Sequence, residues 1–358
     1  MGAVIVRDAS DEEELAGLAS DLACNWRPTR FPGQSGPAPR TQVVANGSPG
    51  RPNQPHSTVL VRPRWEAQGV DEAAFREQVF SALEERLAQG AGYISSAELA
   101  SFDVAGAPRR LIANSKGIWN PRDLEATLSV VSSADGPYAD EEISPGVWRY
   151  DYEAGSIHGS NTKLRRAMET SSPIILLRKI ATGVYVPHFP VYVVADSPAD
   201  RFFTLAIDDV VRLRDPEEPD SRRYAERVVK QRVHQPEFRG KVLLAYENRC
   251  AVCRLRHPEL LDAAHILPDS HPMGKPVVTN GLSLCKIHHG AYDSNFLGID
   301  PDYQVHINAE LLLERDGPML KHGLQEMHGS MLELPKVRAK RPSRDNLAER
   351  FDLFSQAS

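Results

Sequence analysis

Two short cysteine motifs are the residues of this sequence best suited to binding a metal ion. Three of the four cysteines fall within 36 residues, in Cys250-Ala-Val-Cys253 and Cys285-Lys-Ile-His288. Thiolates separated by two residues on a tight turn converge on one tetrahedral ion, and a second such turn completes the ligand set. Four soft or borderline ligands with no open position indicate a structural Zn²⁺ rather than a catalytic ion. His257 and His289 compete with His288 as the fourth ligand.

A histidine-based hydrolytic site is predicted between the two motifs. The run LLDAAHI (260–266) indicates a strand carrying His265, and a loop containing Pro and Gly follows it. A helix is then predicted to open at Asn280-Gly281 and continue through GLSLCKIHHGAYD, with His289 and Asp293 on one face. This order suits one-metal phosphodiester hydrolysis, in which a neutral histidine takes a proton from water and a divalent cation neutralises the phosphate. The Asn280 amide is placed to bond the loop backbone and hold the two halves together.

The segments LDAAHI, TNGLSLC and HHGAYD resemble the HNH (ββα-metal) endonucleases, in the variant with zinc knuckles around the motif. The resemblance covers about 55 residues, with three motifs and both knuckles in family order. It implies that His265 is the general base, Asn280 the loop-fixing residue and His289 a ligand of the catalytic cation, which is Mg²⁺ or another divalent ion. The spacing of nine from Asn280 to His289 fits the family better than a spacing that ends at His288. The resemblance therefore assigns His288 to the zinc.

The residue immediately before His265 departs from the family pattern. Many family members have a metal-binding Asp or His there, whereas this chain has Ala264. Asp262 lies two residues earlier on the same strand face and is a candidate oxygen ligand, directly or through water, and Asp293 is a second candidate. The alternatives are a surface acid at Asp262 and a helix cap or salt bridge at Asp293. A broader alternative is an inactive metal site in a module that only binds DNA.

Residues 117–212 have the pattern of a mainly β domain. Short β-branched and aromatic runs are separated by turn signals, and one helix, NTKLRRAMETS (161–171), interrupts them. The predicted strands are ATLSVVSS (126–133), VWRYDYE (147–153), PIILLRKI (173–180), GVYVPHFPVYVVAD (183–196) and RFFTLAI (201–207). This pattern favours a barrel crossed by a helix or two.

The same region resembles the SRA/PUA-like domains that are fused to HNH modules in modification-dependent restriction endonucleases. This resemblance covers about 95 residues and rests on element order rather than on a sharp motif. It implies a reader that flips a modified base, a cytosine derivative, into an aromatic-lined pocket. The pocket candidates are Trp119, Trp148, Tyr150, Asp151 and Tyr152. The three aromatic residues from 148 to 152 alternate onto one strand face and Asp151 onto the other, so the competing interpretation is that the aromatic face is core.

Domain boundaries are predicted from changes in composition. The predicted fold class is α+β, with a mainly β SRA/PUA-like barrel and flanking helices followed by a ββα-metal nuclease domain with structural zinc. Within the flank, DEAAFREQVFSALEERLAQG (71–90) and SSAELASF indicate helices and RRLIAN a strand, which form either a small winged-helix-like unit or a helical flank of the next domain. The predicted segments are a flexible extension (1–60), the flank (61–116), the reader (117–212), a linker (213–222), the HNH domain (223–335) and a basic C-terminal tail (336–358).

Positive charge is concentrated beside the predicted metal sites, although the whole chain has a net charge of -6. Residues 221–256 contain ten Lys or Arg against three Glu, and residues 336–350 contain six against two acids. Such a bias next to a metal cluster favours a phosphate-facing surface over a merely solvated helix face. The predicted DNA-backbone contacts are Arg227, Lys230, Arg232, Arg239 and Lys241, and the basic tail is a second candidate.

Composition and motifs together predict a cytoplasmic endodeoxyribonuclease. No apolar run approaches 18 residues, and the N-terminus lacks the basic start of a signal peptide, which argues against a membrane or secreted protein. The predicted activity is restriction of invading double-stranded DNA that contains modified cytosine, and cutting both strands predicts a homodimer. Two alternatives stay open: an HNH nuclease that reads unmodified sequence or structure, and a non-catalytic, zinc-stabilised DNA-binding protein.

Overall fold

The chain folds as an α+β protein with a sheet-rich first half and a helix-rich second half, as predicted. The computed structural model describes residues 71–133, 142–153, 155–207, 223, 226–227 and 229–357. The predicted extension (1–60) and linker (213–222) lie outside these ranges. Among the helices inside them, none combines the length and apolar character needed to cross a lipid bilayer.

A twisted sheet dominates the first half. Its elements and the nearby hairpin are α1 (Glu72–Ala88), β1 (Ile94–Ser95), α2 (Ser96–Ala100), β2 (Phe102–Val104), β3 (Ala107–Arg109), β4 (Ile118–Trp119), β5 (Ser129–Ser133), β6 (Glu142–Ser144), β7 (Val147–Asp151), α3 (Ser160–Glu169), β8 (Ile174–Ala181), β9 (Val184–Ser197) and β10 (Phe202–Ala206). Among the described residues the sheet has eight strands in the order β4-β5-β8-β9-β10-β7-β6, with β1 paired to β9. The β5–β8 pair is parallel and the other pairs are antiparallel. The five strands predicted between 126 and 207 are confirmed.

The central strand β8 is apolar on both faces because helices cover both sides of the sheet. Ile174 and Leu176 pack in one core with Leu164 of α3, while Ile175 and Leu177 pack in a second core with Val79 of α1. A strand buried on both faces has a continuous apolar run rather than an alternating one.

The described part of the predicted flank packs on the sheet and is not a separate winged-helix unit. Helix α1 begins at the N-cap Asp71, whose side chain accepts from the backbone N–H of Ala74, and it buries Phe75, Val79 and Leu83 in the same core as strand β8. The prediction of a strand at RRLIAN is wrong. The strand in this part of the chain is β3, which pairs with β2 in a hairpin and ends at Arg109, the first residue of that run. Leu111 and Ile112, which are adjacent, are 0% and 5% exposed, so this segment buries consecutive side chains, unlike a half-exposed strand.

The second half contains a ββα unit followed by smaller elements. Its elements are α4 (Gln235–Ala245), β11 (Leu261–His265), β12 (Gly281–Cys285), α5 (Lys286–Asp293), β13 (Leu297–Ile299), β14 (Val305–Ile307), α6 (Ala309–Leu313), α7 (Pro318–Gly323) and α8 (Arg344–Ala357). Strands β11 and β12 are antiparallel, with His265 opposite Gly281, and helix α5 follows directly.

The helix predicted to open at Asn280 begins at Lys286 instead. Residues Val278–Asn280 form a 3-10 turn, and all five residues of β12 are buried. Helix α4 covers this strand so closely that a Cβ on Gly281 would lie 2.5 Å from Val242 Cγ2 and 2.9 Å from Phe238 Cζ. A short apolar run buried on all sides has no periodicity that separates strand from helix, which is why the prediction was wrong.

The segment predicted as a basic C-terminal tail contains helix α8, which belongs to the core of the second half. Leu347 is 0% exposed and Phe354 is 5% exposed. The Phe354 ring lies against Gly298 of β13, where a Cβ would approach it to 2.4 Å. Four of the basic residues that suggested a tail are exposed, whereas Arg341 and Arg350 are half-buried, so the segment is part of the folded second half rather than a separate tail.

A buried ionic group joins helix α4 to the sheet. Glu237 accepts a hydrogen bond from Arg178 of β8 at 2.9 Å and pairs with Lys241 at 3.2 Å, while His188 Nε2 lies 3.5 Å away. Arg178 also donates to Ser132 of β5 at 2.6 Å. Burial opposes the charge on Glu237, but His188, Arg178 and Lys241 outweigh it, and the pKa of the carboxyl lies well below its ordinary 4.5.

Glu237→Gln is expected to lower the free energy of unfolding by about 3 kcal/mol at pH 7, because it leaves Arg178, whose side chain is only 15% exposed, without its counter-ion. A carboxyl with a lowered folded-state pKa stabilises the fold fully above pH 4.5, and that contribution is lost as the pH falls further. The difference between wild type and variant should therefore shrink on acidification, as measured by urea unfolding at several pH values. Glu169→Gln is the control, since Glu169 pairs with Arg166 on the exposed surface. Equal losses for the two variants would contradict the expectation.

Candidate functional site

The four predicted zinc ligands come together in one cluster. Cys250 and Cys253 lie on the turn after α4, Cys285 ends β12 and His288 lies in the first turn of α5. Cys285 Sγ is 3.1 Å from His288 Nδ1 and 3.9 Å from Cys253 Sγ, and Cys250 Sγ is 3.5 Å from His288 Nδ1. One ligand atom from each residue lies within 4.8 Å of the other three, so the cluster could hold a metal ion.

The separations in this Cys₃His cluster fit a tetrahedral zinc ion. With Zn–S bonds of about 2.3 Å, two sulfurs of a tetrahedron lie about 3.8 Å apart. His288 Nε2 lies 2.8 Å from the carbonyl oxygen of Gly323, which favours the N–H at Nε2 and leaves Nδ1 directed at the sulfurs. The two competing ligands lie elsewhere: His257 is exposed beside Glu259, and His289 faces a neighbouring cleft.

That cleft, of about 630 Å³, lies between α4, β11 and α5. Its polar lining consists mainly of imidazoles, carboxylates and cationic groups: Lys230, Arg239, Asp262, His265, Asp269, His289, Asp293 and Arg350. His265 comes from β11 and His289 from α5. The structure therefore brings both predicted catalytic histidines and both candidate acids into one cavity.

The ring of His265 is held in a defined orientation. It stacks on Phe238 of α4, with ring centroids 4.1 Å apart and planes inclined by 19°. Its Nε2 lies 3.1 Å from Asp269 Oδ1 without hydrogen-bond geometry, so the two groups form an ion pair only when the ring is protonated. Burial lowers the pKa of His265 below 6.5, although Asp269 partly offsets this. At neutral pH the imidazole is neutral and able to accept a proton.

His289 lies between the two candidate acids. Its Nδ1 is 3.5 Å from Asp262 Oδ2, and its Nε2 is 3.3 Å from Asp293 Oδ2. The two ring nitrogens point in different directions, so an ion bound through one of them is adjacent to only one of the acids. The Asp262 side chain is 27% exposed, whereas that of Asp293 is 64% exposed.

The carboxylate of Asp262 is ionised and faces the cleft, so it can serve as an oxygen ligand for a cation. Burial opposes its charge, but contacts with His289 and Lys286 outweigh it and lower the pKa of Asp262 to about 2. Burial likewise opposes protonation of His289, but the neighbouring Asp262 and Asp293 raise its pKa. Ala264, at the position where the family pattern has a ligand, is 0% exposed and offers no donor atom.

The segment that contains β11, β12 and α5, with His265 and His289, also matches a known family in sequence. Residues 250–300 match the family model described as HNH endonuclease. The chain contains an HNH endonuclease domain. This match supports a DNA endonuclease.

Two restriction endonucleases and an SRA domain are among the solved structures that are similar to the chain. The modification-dependent TagI restriction endonuclease is 17% identical, covering 73% of this chain and 91% of its own, with a TM-score of 0.24. The SUVH5 SRA domain bound to methylated CHH DNA is 16% identical, covering 32% and 85%, with a TM-score of 0.24. The type IV phosphorothioation-dependent restriction endonuclease ScoMcrA is 17% identical, covering 48% and 51%, with a TM-score of 0.19. No curated protein matches the chain.

Asn280 closes the loop between the two strands of the HNH domain. Its Oδ1 accepts from the backbone N–H of Leu267 at 3.0 Å, and its Nδ2 donates to the carbonyl oxygens of Leu267 at 2.9 Å and Lys275 at 3.2 Å. Asn346 of α8 donates to Asn280 Oδ1 at 2.9 Å. Sequence reasoning missed Asn346, because it lies 66 residues further along the chain and belongs to no motif.

The aromatic face that was predicted to line a base pocket is core. Trp148, Tyr150 and Tyr152 are 5%, 6% and 2% exposed and pack with the sheet and α3. Trp119 donates to a backbone carbonyl at 2.8 Å, and Asp151 pairs with a neighbouring arginine at 2.8 Å. The prediction that the three buried rings stack on a base was wrong, because an alternating aromatic strand turns one face to the interior.

A cavity of about 680 Å³ opens elsewhere on the sheet, over β5 and β8. Residues 112–117 form one wall, and Ser133, Lys179 and Tyr185 contribute to the others. Sequence reasoning missed this cavity, since its walls come from three separated segments that share no motif.

The predicted DNA-contacting residues divide into two groups. Arg227, Lys230 and Arg232 are exposed. Arg239 instead donates to three backbone carbonyls, and Lys241 pairs with the buried Glu237. The Arg239 bonds join α4 to residues outside that helix, whereas the Lys241–Glu237 pair lies within α4. DNA contacts at these two positions stay a prediction.

Proposed function

We propose that the chain is a modification-dependent DNA endonuclease that hydrolyses phosphodiester bonds by a one-metal HNH mechanism. The observation that carries the proposal is the cleft in which His265 of β11 faces the same cavity as Asp262 and His289. Two histidines from different elements, one of them neutral and one beside carboxylates, provide a proton acceptor and a cation-binding group around one space.

His265 acts as the general base. Its lowered pKa keeps the ring unprotonated near pH 7, and the Phe238 stack fixes the ring plane. The imidazole takes a proton from the attacking water, and the nearby Asp269 carboxylate stabilises the imidazolium that results. Asn280 keeps β11 at its place in the cleft by closing the loop that follows it.

Asp262 and His289 hold the catalytic divalent cation, Mg²⁺ or a similar ion, through Oδ2 and Nδ1. These atoms are 3.5 Å apart, and Asp262 is the more buried of the two candidate acids. When bound, the cation neutralises the phosphate and stabilises the leaving oxygen. Asp293 Oδ2 lies 3.3 Å from His289 Nε2, and its negative charge helps to orient the ring, as a carboxylate behind a metal-binding histidine commonly does.

The Cys₃His cluster binds structural Zn²⁺. Its four ligands leave no open position, and it joins the turn after α4 to the β12–α5 junction, one residue before His289. We expect the exposed Arg227, Lys230 and Arg232 to contact the DNA backbone, because they lie at the start of the helical segment that borders the cleft.

The sheet-rich half acts as the reader of modified cytosine. This part of the proposal is supported by the resemblance of residues 117–212 to SRA/PUA-like domains. The cavity over β5 and β8 is the site where we expect an extruded base to bind, since its volume lies in the range of small-ligand pockets and its walls carry polar groups. Because cleavage of both strands needs two active sites, the acting form is expected to contain two copies.

Cleavage of one duplex sequence in unmodified, 5-methylcytosine and 5-hydroxymethylcytosine forms tests the proposal in Mg²⁺ or Mn²⁺. The expected result is efficient cutting of at least one modified duplex and little cutting of the unmodified one. Equal cutting of all three overturns the reader role and favours an HNH nuclease that recognises unmodified sequence or structure. Normal DNA binding without cleavage of any duplex overturns catalysis and leaves a zinc-stabilised DNA-binding protein.

A further inference from the structure

Three cationic side chains line the proposed catalytic cleft, and they differ in how their charge is balanced. Lys230 Nζ lies 3.1 Å from Asp269 Oδ2, and Arg239 Nε lies 3.8 Å from Asp262 Oδ1. Arg350 lines the same cavity, and within the described residues no carboxylate lies within ion-pairing distance of it. A guanidinium is always charged at physiological pH, so Arg350 is a positive charge that the described protein does not neutralise.

Neutral groups hold the Arg350 guanidinium in place. Its Nη1 donates to Asn295 Oδ1 and its Nη2 to the carbonyl oxygen of Tyr292, each at 2.6 Å. The guanidinium carbon also lies 4.7 Å from the centre of the Tyr292 ring, which is 1% exposed and therefore an immobile support. These contacts fix the position of the group without cancelling its charge.

The support of Arg350 belongs to the element that carries the proposed metal ligand. Tyr292 is in helix α5, three residues after His289, and Asn295 follows the C-terminus of the same helix. Arg350 itself is on α8, which is anchored by the fully buried Leu347 and by the hydrogen bond from Asn346 to Asn280. The guanidinium is thereby held at a set distance from the catalytic groups by two elements at once.

We propose that Arg350 is a further catalytic residue, which donates hydrogen bonds to the non-bridging oxygens of the scissile phosphodiester. Two of the five N–H groups of the planar guanidinium are used by Asn295 and Tyr292, and the remaining three are available to phosphate oxygens. Negative charge on those oxygens grows as water attacks, so a pre-positioned cation stabilises the transition state more than the bound substrate. Arg350 transfers no proton. The assignment rests on the proposed nuclease function of the same cleft.

Single-turnover cleavage by Arg350→Ala, with the full chain and the duplex that wild type cuts best, tests the assignment. The rate should fall by about 100-fold or more, as for loss of one transition-state donor. Binding of the uncut duplex, measured with Ca²⁺ in place of Mg²⁺, should change far less. Arg344→Ala is the matched control: Arg344 opens the same helix, is exposed and pairs with Asp302 at 2.9 Å. It should cleave at nearly the wild-type rate.

Chemical rescue separates a catalytic role from a structural one. Guanidinium chloride at concentrations well below denaturation should raise the rate of Arg350→Ala and leave the slow rate of His265→Ala unchanged. Arg350→Lys, which retains the charge but not the planar donors, should be intermediate. Failure of rescue, with a fall in rate that matches a fall in the unfolding midpoint, overturns the proposal. So does an Arg350→Ala rate equal to that of Arg344→Ala. A wild-type chain that cuts no duplex instead overturns the proposed function itself.

Discussion

His265→Ala is expected to slow phosphodiester cleavage by about 10²–10⁴-fold, the usual contribution of a general base. The reason lies in the geometry of the cleft: His265 is the neutral imidazole facing the cavity, with a pKa lowered by burial and with Asp269 3.1 Å away to stabilise its protonated form. Alanine removes the proton acceptor without changing either the Cys₃His cluster or the exposed basic residues. DNA binding and zinc content should therefore stay near wild type.

The measurement is a single-turnover rate on the best modified duplex, alongside binding and metal content. His257→Ala is the matched control, because His257 lies in the same domain but is exposed and pairs with Glu259 outside the cleft. Its rate should be unchanged. If His265→Ala cut as fast as His257→Ala, the proposed base would be wrong. If wild type and His265→Ala were equally inert while binding DNA normally, the catalytic role of the cleft as a whole would be wrong.

Cys250→Ser is expected to remove the structural metal and, with it, the cooperative folding of the HNH domain. Zinc binding contributes on the order of 10 kcal/mol in small zinc-stabilised domains, which is comparable to the whole stability of a typical domain. Cys250 is 0% exposed in the core of the second half, so a hydroxyl there is buried as well as being a poor zinc ligand. Because His288 and His289 are adjacent, loss of the cluster should also displace the catalytic helix and abolish cleavage.

Metal content and thermal unfolding measure this outcome. Wild type should carry about one zinc per chain and lose its main unfolding transition when a strong chelator strips it. Cys24→Ser is the control, since Cys24 is the one cysteine outside the two knuckles. It should retain both metal and stability. A Cys250→Ser protein with wild-type zinc content and an unchanged midpoint would show that the cluster does not hold the ion.

Local spacing was enough to predict which three cysteines and which histidine cluster, and the order of the nuclease motif. Two turns with ligands three positions apart converge by backbone geometry alone, and the strand at His265 followed by a helix at His289 needs only short-range information. The strands of the sheet-rich half were predicted for a similar reason, since β-branched runs between turn signals are local features. The start of α5 was not predictable in this way. All five residues of Gly281–Cys285 are buried, so polar and apolar residues do not alternate there in a way that separates a strand from a helix.

The sequence by itself therefore determined that this protein carries an HNH motif between two cysteine motifs, and a sheet-rich partner region. Only the tertiary structure decided which side chains share the cleft. It placed Asp262 at Nδ1 of His289 and Asp293 at Nε2, buried Trp148 and Tyr150 in the core, and brought Arg350 from α8 into the site. Such outcomes depend on contacts between residues far apart in the chain and on which faces neighbouring elements cover, and neither leaves a periodic or spaced signal in the sequence.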